Sequence, residues 1–138
     1  MSMMLRRQLM RKNHSAPVNL FNPEEHTIKA QHMINYTTGG ITSLTSAQRK
    51  YLESYVEVEP STTYEMNSIM GTFGVGTNYG TAFYDTDKVY ISGIVNVGGH
   101  KLTFTTPAGC SYFRACFYTD SGITPEQVLY GITLYKVS

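Results

Sequence analysis

The sequence predicts an all-β fold: an antiparallel β-sandwich of jelly-roll type, with a short N-terminal helical arm. Three observations lead there. About eight short segments alternate apolar and polar side chains with a period of two. Turns bearing glycine or proline separate them. No long helical pattern runs through the body of the chain. The 138 residues include 11 tyrosines, 12 glycines and no tryptophan, a mixture that suits strands, turns and an aromatic surface. That length gives room for one domain with a genuine core plus an arm.

The arm is residues 1–16. In "MSMMLRRQLMRK", Met1, Leu5 and Leu9 recur at helical spacing, and Arg6, Arg7, Arg11 and Lys12 surround them. An isolated helix of this length is marginal in water, so the arm needs support. A partner subunit is the expected support, with packing on its own domain as the alternative. Arg6, Arg7 and Gln8 also interrupt any apolar core of a secretory signal. No apolar run approaches the roughly 18 residues that span a bilayer.

The domain is residues 17–138. Asn22-Pro23-Glu24-Glu25 reads as one helical turn, with Asn22 as cap and Pro23 first. "AQHMINY" is a strand ending at "TTGG". "SLTSAQRKYLES" reads as a short helix or an irregular loop. "YVEVE" alternates cleanly and stops at Pro60, and "TTYEMNSIM" is a strand ending at Gly71. "GTFGVGTNYG" is a glycine-rich loop. "TAFYD", "VYISGIV", "HKLTFTT" and "CSYFRACFY" are four more strands. "ITPEQVLYG" holds one helical turn, in which Thr124 and Gln127 form a capping box. "ITLYKV" is the last strand.

Candidate chemistry is sparse. Glu57 and Glu59 share a strand face about 7 Å apart, a separation found in inverting glycosidases. Catalytic carboxylates usually flank a cleft from different elements, however, and alternating glutamates are ordinary on a solvated face. Asp85 and Asp87 lack the later ligands and the glycine of a calcium loop, and a tight turn between Tyr84 and Val89 explains them. Gly74, Gly76 and Gly80 match neither a dinucleotide nor a phosphate loop. His14, His26, His32 and His100 show no ligand spacing, and no nucleophile-elbow serine is present. The chain therefore reads as a non-enzyme without metal or cofactor. A net charge of +1 gives no broad grip on nucleic acid.

"CSYFRACFY" carries the one unusual pattern. Phe113, Ala115 and Phe117 form a core face, while Tyr112, Arg114, Cys116 and Tyr118 fall on the opposite side. Tyr112, Arg114 and Tyr118, together with Tyr84, are the candidate ligand or partner face. Rings stack on sugars while a guanidinium donates to hydroxyls. Tyrosine and arginine are equally enriched at protein interfaces. A third reading makes the row an internal packing face. Cys110 and Cys116, if they share a strand, lie about 20 Å apart, far beyond disulfide reach; free thiols are expected, in keeping with a reducing compartment, with a pair between subunits as the alternative.

"VNLFNP", "INYTTGGITS", "SYVEVEPSTTYEM", "AFYDTDKVYISG" and "LTFTTPAGCSYFRACFY" follow one another in order. This series resembles the β-sandwich module that recurs in tail, baseplate and fibre proteins of bacterial viruses. The resemblance covers about residues 18 to 120 and leaves the arm outside it. Ser61 departs from the pattern where the family usually has glycine, as do the cysteines where serine or alanine is common. The resemblance implies a virion structural protein with a fold similar to carbohydrate-binding modules. Its implied partners are other virion proteins and further copies of itself, with no nucleic acid and no membrane insertion. It would be assembled in the host cytoplasm, as a capsid decoration, collar, ring or tail component; the amphipathic pattern of the arm, apart from the resemblance, makes Leu5, Arg6, Arg7, Leu9 and Arg11 the expected docking residues. The alternative is a module that binds a host-surface glycan during adsorption.

Overall fold

The computed structural model describes residues 18–76 and 78–137. The helical arm expected over residues 1–16 lies outside them. The described chain is all-β with antiparallel sheets. Eleven strands run in order: β1 (Ile28–Ala30), β2 (His32–Ile34), β3 (Ile41–Ser43), β4 (Arg49–Leu52), β5 (Val56–Glu57), β6 (Thr63–Ser68), β7 (Gly80–Tyr84), β8 (Tyr90–Val95), β9 (Lys101–Thr105), β10 (Tyr112–Tyr118) and β11 (Ile132–Lys136). One helix, α1 (Pro125–Tyr130), precedes the last strand.

The larger sheet has six strands in the order β1-β4-β10-β7-β8, with β5 pairing β10 beside β4. A three-stranded sheet runs β11-β6-β9, and β2 and β3 form a separate hairpin. The two larger sheets share one apolar cluster. Phe83, Phe113, Ala115 and Phe117 enter it from the first sheet, and Tyr64, Met66, Leu102, Phe104, Ile132 and Leu134 from the second. Phe104 sits at its centre, with ring centroids 4.9 Å from Phe113, 5.6 Å from Phe83 and 5.8 Å from Tyr64. Here the alternation of β6 and β9 reads directly into burial, because each presents one side to the core.

Several local signals fold as their residue types require. Asn22 caps the turn Pro23–Glu25, its side chain accepting from the Glu24 N–H. Thr124 and Gln127 exchange the two hydrogen bonds of a capping box at α1 (3.1 and 2.8 Å). The Asp85 carboxylate accepts from the Asp87 and Val89 N–H groups at 2.8 and 3.0 Å, which closes the turn between β7 and β8. Both cysteines are free and buried, and Cys110 precedes β10 instead of sharing it.

Other expectations fail for reasons visible in the backbone. "AQHMINY" is not one strand, because Gln31 sits at φ 64° and turns the chain out of the six-stranded sheet. β1 stays in that sheet and β2 leaves to pair with β3. "SLTSAQRKYLES" contains a strand, β4, that bridges β1 and β10. "YVEVE" pairs over two residues only. The hairpin and its turn then lie against the outer face of the large sheet, where Met33 and Ile34 pack with Tyr51, Ala82, Tyr84 and Cys116 in a second cluster. Gly93 permits that approach, since a Cβ there would meet the Tyr36 carbonyl oxygen at 2.2 Å.

Candidate functional site

β10 is a central strand, paired with β4 and β5 on one edge and β7 on the other. That pairing closes its edges; its second face is covered as well, by the β2–β3 hairpin, and is not outward as the alternation suggested. Cys116 is completely buried and its Sγ accepts from the Ile34 N–H at 3.1 Å. Arg114 is only 7% exposed. The β2–β3 hairpin supplies the cover, which a period of two along β10 alone cannot reveal.

Arg114 is the centre of a tyrosine cage. Its guanidinium carbon lies 4.2 Å from the Tyr55 ring centroid, 4.9 Å from Tyr84 and 5.8 Å from Tyr51. Nε donates to the Tyr84 hydroxyl at 3.1 Å, and Nη1 donates to the Glu53 carbonyl at 3.0 Å. Burial raises the pKa of Tyr84, partly opposed by the neighbouring guanidinium, so the phenol stays protonated and neutral at ordinary pH. A buried cation tolerates such a site only when its donors are used and rings face its plane.

The four residues grouped by sequence thus separate. Tyr84 and Arg114 lie inside. Tyr112 sits opposite Tyr84 in the ladder and emerges at one rim beside Tyr55, their centroids 6.0 Å apart. Lys88, aimed by the Asp85 turn, places its ammonium 5.3 Å from the Tyr55 centroid and 5.4 Å from that of Tyr112. Tyr118 lies about 20 Å away by strand rise and is 37% exposed. There it meets Arg49, whose guanidinium carbon is 4.6 Å from the Tyr118 centroid and 5.4 Å from Tyr79. Arg49 is fixed by β4, where it stands opposite Tyr118 in register, and its Nη1 donates to the Val75 carbonyl at 3.3 Å.

Sequence reasoning missed Arg49, Tyr51, Tyr55, Tyr79 and Lys88. The signal was available only through β4: once residues 49–52 pair with β10, Arg49 must meet Tyr118. Glu57 and Glu59 are both exposed, and Glu59 pairs with Lys136 at 2.8 Å. Among the described residues no group of His, Cys, Asp or Glu has the arrangement of a metal site. The arrangement as a whole offers two rims where rings and cations reach the surface, joined by an internally satisfied centre. No family model matches this chain, and no curated protein matches it.

Proposed function

We propose that this chain is a structural component of a bacterial virus particle, a jelly-roll β-sandwich module without catalytic activity that docks into a larger assembly through its N-terminal arm. The patch of exposed Tyr118 with half-buried Arg49 and Tyr79 is its second contact surface. The observation that carries the reading is the backbone at Ser61. That is the position where the resembled virion module has glycine, and Ser61 holds φ 51°, in the left-handed region that glycine occupies freely. A requirement for such a turn at that place, inside an antiparallel two-sheet build, supports descent of the same turn. The decisive experiment deletes residues 1–12. The truncated protein is expected to remain folded and soluble and to be lost from the assembled particle. Normal occupancy of the truncated protein would remove the anchoring role.

A second reading is favoured by one observation, the exposed Tyr118 ring held against Arg49. A ring face beside guanidinium donors suits the apolar face and hydroxyls of a pyranose. Under that reading Tyr118→Ala abolishes binding to host-surface glycans while particle occupancy is unchanged. Under the first reading occupancy falls and no glycan binds either protein.

A further inference from the structure

An open cleft of about 690 Å³ lies on the side of the molecule away from the Tyr118 patch, lined by Leu20, Glu25, Tyr55, Glu57, Glu59 and Tyr112 among others. β5 forms one wall. It pairs with β10 on one edge, and no described strand pairs with the other, so that wall offers main-chain hydrogen-bonding groups. Glu59 is paired with Lys136, whereas Glu25 and Glu57 have no ion-pair partner among the described residues. The cleft is therefore lined by two carboxylates unpaired among the described residues, with Lys88, 5.3 and 5.4 Å from the Tyr55 and Tyr112 centroids, as the cation beside them.

The charge that would complement it is in the same chain. Residues 1–17 contain Arg6, Arg7, Arg11 and Lys12 and no acidic residue, which leaves seven basic side chains against ten acidic ones in residues 18–138. The described chain also begins at this cleft. Asn19 and Leu20 are pinned to β11, the Asn19 side chain accepting from the Leu134 N–H at 2.9 Å and the Leu20 N–H donating to the Leu134 carbonyl at 2.8 Å. Leu20 itself lines the wall. From there, eight residues back to Lys12 span up to about 28 Å, enough to return along the cleft.

We propose that this cleft binds residues 6–12 of its own chain, its carboxylates pairing with the arginines. Tethering at Leu20 gives the segment an effective concentration on the order of millimolar, which favours it over the same segment of a second copy in dilute solution. The cleft holds the anchor of the free protein until the particle offers a stronger site. Occupancy of the cleft is a property of the free protein and stands or falls separately from the particle assignment.

The test is zero-length carbodiimide coupling of the full-length protein, using an equal mixture of unlabelled and 15N-labelled chains. Residues 1–17 contain one lysine, Lys12, and coupling joins an amine to a carboxylate only at contact. The expected product links Lys12 to Glu25 or Glu57, with both peptides carrying the same isotope. Its yield falls by roughly an order of magnitude in about 1 M salt, where the Debye length is ~3 Å. A similar loss is expected in R6Q/R7Q/R11Q, which removes the attraction and adds no carboxylate that could compete for Lys12. Absence of the link overturns the proposal. So do mixed-isotope links, which would place the segment in a second copy, and a yield indifferent to both salt and charge removal.

Discussion

Arg114 shows why burial decides what a residue is for. On the sequence it looked like a contact residue, but its Nε and Nη1 donate to the Tyr84 hydroxyl and the Glu53 carbonyl inside the fold. Arg114→Ala is therefore expected to cost on the order of 2–3 kcal/mol, since it strands a buried phenol and carbonyl. Arg114→Lys should recover only part, because an ammonium cannot reproduce the planar fork; urea denaturation of the purified variants measures both. His26 gives a pH dependence. Burial lowers its pKa below 6.5, against a smaller upward pull from Glu25, so the unfolded chain takes up a proton before the folded one does. Stability is then complete above about pH 6.5 and declines as pH falls through the window beneath it. His26→Gln should flatten that part of the profile in melts taken across the pH range. Cys116, its thiol pushed up to about 11 by burial, should resist alkylation at pH 8 until the protein is unfolded.

At the scale of the element, β10 sets the clearest contrast. Phe117 is fully buried against Phe73, ring centroids 5.3 Å apart, and Phe117→Ala is expected to cost about 3–5 kcal/mol. Tyr118→Ala, next in sequence and exposed, loses mainly its contact with Arg49 and should cost ~1 kcal/mol or less. Equal losses in chemical denaturation would contradict the assignment of faces. The turn before β6 offers a gain: Ser61→Gly relieves the left-handed strain and should raise stability by up to about 1 kcal/mol, net of glycine's greater unfolded freedom. Which elements were legible follows from how local their causes are. Caps and turns such as Asn22, Thr124–Gln127 and Asp85 rest on partners two to four residues away, and β6, β9 and β11 show themselves by period and turn residues. β4 was hidden because Arg49 and Lys50 make it look solvated. Lys50 is 1% exposed, its ammonium donating to the Ala47 carbonyl and the Thr119 hydroxyl, partners that a local reading cannot supply.

For the whole molecule, the same distinction explains the site. The core face of β10 was legible because one sheet face always packs on the other sheet. Its second face was not, because a hairpin some 80 residues earlier in the chain covers it, as the Ile34–Cys116 contact shows. Closing that face left the surface chemistry at the two ends of the strand, Tyr112 with Tyr55 and Lys88 at one, Tyr118 with Arg49 and Tyr79 at the other. Such ring-and-cation rims suit docking between proteins, the role proposed for this chain. The most direct measurement is quantitative mass spectrometry of the purified parent particle against isotope-labelled peptides of this chain. The account predicts a fixed copy number per particle that survives a high-salt wash. Absence of the chain from purified particles, or an amount that varies between preparations, would contradict it.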